Sequence, residues 1–265
     1  MIGVFDSGHG GLTILRALMD RLPAYGFCYF GDHARAPYGA RSTEEIYDAT
    51  RNGVEFLFRQ GCPLAILACN TSSAQALRRL QQEWLPRTYP DRRVLGVLVP
   101  TIEALADGPW KDFRITILAT PSTVASGAYT REILKRHPET RVIERACPTW
   151  ARLIEEDAPD AVLHAAIGEI LDDLPPTDAL LLGCTHYPLV VDQIAATLPA
   201  SVQIVSQGAW VASALENYLE RHPEMEQGLA RTGAHRFFTS GDPLRVSFLA
   251  SRLFGAAMNF EKWGT

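Results

Sequence analysis

Short apolar runs alternate with longer segments of helical period along almost the whole chain. This alternation constrains the fold more than any other feature of the sequence. Ile2–Phe5, Phe27–Phe30, Ala65–Ala68 and Val94–Val99 read as strands. Between them, Leu12, Leu15, Leu18 and Leu22 recur at helical spacing. Ser42, with Glu45 three residues on, forms a capping box that opens a helix toward Arg59, and Ala74, Leu77 and Leu80 mark the next helix. The second half follows the same scheme, with strands at Ile115–Leu118, Arg141–Ile143, Leu180–Leu182 and Val202–Val205. Helices are expected at Ser126–Arg136, Trp150–Glu156, Leu163–Leu171, Leu189–Leu198 and Ala209–Leu219. A tail carrying Phe237-Phe238 then leads to a last helix near Leu244–Leu253. Strand and helix in regular alternation mean parallel sheets covered by helices on both faces. Right-handed crossovers put all strand C-termini on one edge, where ligands bind.

The strand ends repeat in spacing. Cys69 lies 63 positions after Asp6 at the first strand end, and Cys184 lies 64 after Thr120. Asp32 follows Asp6 by 26 positions, as Ala146 follows Thr120. Side-chain identity is not repeated, so spacing carries the inference. It predicts two pseudo-symmetric parallel-sheet α/β domains facing across a shared cleft, each contributing one thiol.

Composition narrows the function classes. The 265 residues are 47% hydrophobic and carry a net charge of only -5, which excludes a chain disordered throughout. The acidic balance argues against nucleic acid as a partner. No apolar run approaches the ~18–20 residues that span a bilayer, and no basic region followed by an apolar stretch opens the chain. Neither a membrane location nor a signal peptide is expected. Five cysteines, an odd number with no Cys-x-x-Cys pair, disfavour a disulfide framework and a structural zinc site. Reduced thiols and a cytoplasmic location follow.

Cys69 and Cys184 share a setting. Ala65-Ile66-Leu67-Ala68-Cys69-Asn70-Thr71-Ser72 and Leu180-Leu181-Leu182-Gly183-Cys184-Thr185-His186-Tyr187 each deliver a cysteine from an apolar strand into small polar residues ahead of a helix. The positive end of a helix dipole can lower a thiol pKa from ~8.5 toward neutrality, which makes a usable base or nucleophile. The alternative is a small buried hydrophobe, the reading that suits Cys28 and Cys62. Cys147, beside Pro148, is open to either reading. His186, two residues from Cys184, can polarise that thiol, take its proton or ligate a metal, but further ligands at metal spacing are lacking. Asp6 can serve Cys69 in the same way, or act only as a turn carboxylate.

Asp6-Ser7-Gly8-His9-Gly10-Gly11 is a Gly-rich turn, neither the dinucleotide fingerprint nor a Walker A loop. Its backbone N–H groups suit an anion. Asn70, Thr71, Ser72, Thr120, Ser122, Thr123 and Thr185 supply small polar groups at the other strand ends, where they can bind a carboxylate, cap helices, or both. His9 and His33 read as surface turn residues. Asp32-His33-Ala34-Arg35-Ala36-Pro37-Tyr38-Gly39 is an irregular loop suited to covering a ligand.

With these motifs in hand, the chain resembles the glutamate racemases. The matching pieces are Asp6-Ser7-Gly8-x-Gly10-Gly11, Asp32-x-Ala34-Arg35-x-Pro37-Tyr38-Gly39, Cys69-Asn70-Thr71 and Gly183-Cys184-Thr185-His186-Tyr187-Pro188. Thr120-x-x-Thr123 with Ser126-x-x-Tyr129, Ala146-Cys147-Pro148 and Ser240-Gly241-Asp242-Pro243 match more weakly. The resemblance implies cofactor-independent racemisation of glutamate, with D-glutamate going to peptidoglycan. Cys69 and Cys184 would be opposed acid/base catalysts, assisted by Asp6 and His186. Asp6, Ser7, Tyr38, Gly39, Asn70, Thr71, Thr120, Thr123, Thr185 and His186 would hold the substrate. It also implies a homodimer and two domains, residues 1–95 plus 208–265 and residues 96–207. Three features depart from the family pattern: His9 where a small or apolar residue is usual, the bulky Thr149-Trp150 after Cys147-Pro148, and Ser206-Gln207 in place of an acidic residue. They bear on rim shape, dimer contacts or regulation.

Racemisation without a cofactor needs bases on both faces of the α-carbon and donors that stabilise a carbanion beside a carboxylate. An aspartate racemase-like enzyme would share the two thiols, though the tyrosine loop and the Gly183–Pro188 run favour glutamate. A cysteine hydrolase built on Cys184 and His186 leaves Cys69 without a role. A non-catalytic amino-acid-binding protein gives no reason for a thiol at both strand ends.

Overall fold

A computed structural model describes residues 1–107 and 114–263. Among the described residues, ten strands fall into two sheets. The first contains β1 (Ile2–Asp6), β2 (Phe27–Gly31), β3 (Leu64–Leu67), β4 (Arg93–Gly96), β9 (His235–Thr239) and β10 (Phe260–Lys262), in the order β10-β9-β2-β1-β3-β4. The second contains β5 (Arg114–Ala119), β6 (Arg141–Ala146), β7 (Ala179–Leu182) and β8 (Gln203–Val205), in the order β6-β5-β7-β8. Every pairing is parallel. The order β2-β1-β3-β4 in one sheet is that of β6-β5-β7-β8 in the other, so the repeat expected from strand-end spacing is a repeat of topology.

Alternation along the strands sorts side chains into layers. Ile2, Val4, Leu64 and Ile66 of the first sheet and Ile115, Ile117, Ala179 and Leu181 of the second belong to one continuous buried cluster. That middle layer also takes Leu12, Leu15 and Leu18 from the helix Leu12–Arg21 and Val211, Leu215 and Leu219 from the helix Gly208–Arg221. Phe5, Ala65 and Leu67 point the other way, onto the helix Thr43–Arg59 with its Ile46, Val54 and Leu57. Leu118, Leu180 and Leu182 pack against the helices Trp150–Glu155 and Asp160–Leu171. Strands covered on both faces read as unbroken apolar runs, which is why they were conspicuous in the sequence. The capping box of Ser42 and Glu45 is formed in both directions.

Several boundaries differ from the sequence reading. The strand expected over Val94–Val99 ends at Gly96, and Leu98 already lies in the helix Leu98–Asp107. The helix expected over Ser126–Arg136 runs over Ala128–Arg136, and Gly127, at φ 58°, separates it from a further helix, Pro121–Ser126. The largest difference is at the C-terminus. Phe237 and Phe238 are not tail but part of β9, which pairs with β2, and β10 extends the sheet beyond it. No helix among the described residues is long and apolar enough to cross a membrane.

Candidate active site

Cys69 and Cys184 each follow their strand, β3 or β7, by two residues and line the same small cavity, together with Ser7, Tyr38, Thr120 and Thr185. Both thiols are nearly out of solvent. Cys69 caps the helix Asn70–Gln75: its Sγ accepts from the Ser72 N–H at 3.5 Å and lies 3.7 Å from Ser7 Oγ. Burial, followed by the charge of Asp6, pushes the Cys69 thiol up to about 11.

Asp6 ends β1 fully buried. Its carboxylate accepts from the Gly8 N–H at 2.9 Å and from Thr185 Oγ1 at 3.2 Å, which ties the first strand end to the residue beside Cys184. Burial outweighs these bonds and the His186 charge and pushes the Asp6 carboxyl up to about 6. Around Cys184 the partner is imidazole: His186 Nδ1 is 3.6 Å from Sγ, and His186 Nε2 is 2.6 Å from Glu155 Oε1. Burial opposes charge on His186, but bonding to Cys184 and Glu155 holds its pKa well above the ordinary histidine value.

Glu155 had no signal in the sequence. It is the last residue of the helix Trp150–Glu155, and only folding brings it to the Gly-rich turn. Oε1 also accepts from the His9 N–H at 2.5 Å, and Oε2 is 2.6 Å from His9 Nδ1. Burial acts against this carboxylate, yet the bonds from His186 and His9 hold its pKa well below the usual range. The turn is glycine because of these side chains. A Cβ at Gly8 would collide with the Glu155 carboxylate, and one at Gly10 would lie 2.5 Å from Thr185 Oγ1 and 2.6 Å from His186 Nδ1.

The remaining residues singled out in the sequence gather at the same edge. Thr71, Thr120 and Thr123 form a buried triangle of hydroxyls with sides of 2.9, 3.2 and 3.0 Å, which joins the helix after Cys69 to the helix after β5. Tyr38 and Gly39 line the cavity from a 3-10 turn, with the buried Tyr38 hydroxyl donating to Asp32. Asn70 borders the cavity too, but its side chain is engaged: Oδ1 accepts from Tyr129 and Nδ2 donates to Gln207 Oε1 at 2.9 Å. Gln207 donates in turn to Thr101 and Tyr129, so it is a buried cross-link. Trp150 is also internal, its Nε1 donating to the Ala166 carbonyl and its ring against Tyr187. Of His9 and His33, read as surface turn residues, His9 is 3% exposed and His33 is half-buried, and the two rings meet edge to face at 4.3 Å. All five cysteines are unpaired, and Cys28 and Cys62 sit in the apolar core.

A sequence profile for Asp/Glu/hydantoin racemases matches residues 12–215. The chain belongs to that family. Similarity to individual racemases runs end to end. The glutamate racemase of Roseobacter denitrificans is 43% identical over 272 residues, with 98% of each chain covered. Among solved structures, a glutamate racemase isoform of Bacillus anthracis superposes with a TM-score of 0.87 at 32% identity, covering 99% of this chain and 96% of that one. The glutamate racemase of Francisella tularensis, solved in complex with D-glutamate, gives 0.84 at 30% identity, with coverage of 98% and 95%. The two-sheet α/β architecture is the racemase fold, and the resemblance read from the motifs extends over the full length.

Proposed function

We propose that this racemase interconverts L- and D-glutamate by two-thiol proton transfer without a cofactor, and that its D-glutamate supplies peptidoglycan. The observation that carries the reading is that Cys69 and Cys184, from matched strand ends of two sheets, line one cavity, Cys184 with His186 at 3.6 Å and Cys69 within the influence of the Asp6 charge. One thiolate takes the α-proton, and the opposite thiol delivers a proton to the other face. The configuration inverts, and each sulfur ends in the state in which the other began. The reverse reaction exchanges their roles.

The two sides are primed differently. Cys69, pushed up to about 11, keeps its proton, and the nearby Asp6, at about 6, can receive one when Cys69 acts as base. His186, held protonated by Glu155, is a proton source against Cys184. The substrate ammonium, entering between buried thiols and Asp6, favours thiolate formation by charge. Ser7, Thr71, Thr120, Thr123 and Thr185 offer hydroxyls, and Tyr38, Gly39 and Asn70 shape the wall; together these hold the substrate carboxylates and stabilise the carbanion. The proposal includes two bodies, residues 1–95 plus 208–265 against residues 96–207, and a cytoplasmic homodimer.

Circular dichroism of purified protein with D-glutamate and no added cofactor tests the activity. The signal decays to zero for a racemase and stays constant for a binding protein. Cys69→Ala and Cys184→Ala each abolish the decay, because alanine neither accepts nor donates a proton, while Cys28→Ala and Cys62→Ala keep substantial activity. Near-parental turnover in Cys69→Ala or Cys184→Ala overturns the two-thiol reading.

A further inference from the structure

His9 and His33 take no part in the racemase reading, and their surroundings have a chemistry of their own. His9, from the Gly-rich turn, His33, from the turn after β2, and Glu155, from its helix end, each bring one ligand atom to within 4.8 Å of the others. His33 is set as metal-binding histidines are. Its Nδ1 is 2.9 Å from the Gly31 carbonyl, which can only accept, so Nδ1 carries the hydrogen and Nε2 keeps its lone pair. Thr239 Oγ1, at 2.9 Å, fixes the same nitrogen. That leaves Nε2 buried with no hydrogen-bond partner, although buried polar atoms are nearly always satisfied.

The contact between His9 Nδ1 and Glu155 Oε2, at 2.6 Å, holds a proton between two atoms that are both metal ligands once deprotonated. Two imidazoles and a carboxylate are a donor set for zinc and its neighbours among the divalent transition metals. A cavity of about 270 Å³ borders all three residues, which gives a fourth ligand access from outside. None of the three lines the cavity between the thiols.

We propose that His9, His33 and Glu155 form a binding site for one divalent transition metal of the zinc type, and that metal there slows racemisation through Glu155. Ligation replaces the shared proton, and the side chains open slightly to admit the ion at about 2.0–2.2 Å from each ligand atom. The second half rests on the racemase reading. A carboxylate drawn by a dication at Oε2 shifts Oε1, which anchors His186 Nε2 at 2.6 Å, and so moves His186 Nδ1 from its place 3.6 Å from Cys184 Sγ. Inhibition is therefore not competitive with glutamate.

Cobalt(II) titration of the full chain tests the site independently of activity. One equivalent should give the visible bands of four- or five-coordinate cobalt, without a thiolate-to-cobalt charge-transfer band, and zinc should displace it. The same spectrum should persist in the Cys69→Ala/Cys184→Ala double variant. Loss of the bands there would place the metal on the thiols and overturn the proposal, as would their absence from the parent. His33→Gln should weaken binding at least tenfold, keep metal-free racemisation and relieve zinc inhibition. If that variant fails to fold, X-ray absorption on the zinc-loaded parent decides: two imidazoles and no sulfur are expected, and a sulfur ligand refutes the site. Metal that binds there without slowing turnover overturns the inhibitory half, and cobalt binding in a protein that does not racemise leaves the site standing alone.

Discussion

Replacing Asp6 with Asn should make the protein more stable at neutral pH while making it slower. Burial raises the Asp6 pKa from 3.8 to about 6, so the native state prefers the protonated acid. A rise of that size costs the folded protein about 3 kcal/mol once the carboxyl is ionised. The cost is absent below pH ~4, grows between pH ~4 and 6, and is constant above. Asn is a permanent mimic of the neutral acid. Its carbonyl can accept from the Gly8 N–H, and its amide can donate to Thr185 Oγ1, so the two bonds of Asp6 at 2.9 and 3.2 Å keep counterparts. For a chain of this size, 3 kcal/mol corresponds to roughly 6–12 °C in Tm. The assay is thermal unfolding of parent and Asp6→Asn from pH 4 to 8, followed by circular dichroism. The two melting curves should nearly coincide at pH 4 and separate above pH 6, with the variant higher. Racemisation should fall by about 100-fold or more, as expected when a positioned acid/base is lost. A Tm difference that does not change with pH, or a variant less stable at pH 8 than at pH 4 relative to the parent, would refute the reasoning.

Glu155→Gln removes the anion that holds His186 protonated. Turnover should drop by about 100-fold, and the alkaline limb of the pH–rate profile should move to lower pH; an unmoved limb would remove Glu155 from the proton chain. Because the enantiomers have equal free energy, kcat/KM must fall equally in both directions, and only the split between kcat and KM can differ. Gly8→Ala drives a methyl into the Glu155 carboxylate. It should cost about 1–3 kcal/mol in urea unfolding, as overpacking does, and it should slow turnover; a variant with parental stability and rate would show that the turn yields freely. In deuterated water, early product from either enantiomer should carry deuterium on the α-carbon while recovered substrate carries almost none. Chiral separation with mass spectrometry reads this, and product that retains its hydrogen would contradict two opposed bases.

The parts of the site legible in the sequence were those with a local cause. Cys69, Cys184 and Asp6 stand out because a buried parallel strand is a short apolar run and its first polar residue marks the edge where ligands bind. Spacing then pairs the two thiols without any structural knowledge. Glu155 has no such marker. It ends an amphipathic helix with Glu156 beside it, and its partner His9 lies 146 positions away. His9 and His33 read as surface turns because the segments that cover them, Thr239 and the helix Pro243–Phe254, come more than 200 positions later. Gln207 and Trp150 bear on rim shape, dimer contacts or regulation in the sequence reading, and nothing local shows that each finds buried partners for its polar atoms. The missed strands have the same origin. His235 and Arg236 give β9 a polar start, so its Phe237-Phe238 pair did not register as the end of a strand lying beside β2.

The position of β9 beside β2 has a consequence for synthesis on the ribosome. β2 ends at Gly31 and its neighbour begins at His235, 204 positions later. At ~5–20 residues per second, about 10–40 s pass between the emergence of one strand and that of its neighbour. Throughout that interval the edge of β2, rich in Phe and Tyr, has no cover, while β5 to β8 can form all their pairings from contiguous chain. The sheet encoded in the middle of the gene can therefore be complete before the one encoded at its start. An open, aromatic parallel edge is a template for foreign strands, so the nascent chain is most exposed to aggregation and to chaperone capture at its oldest end.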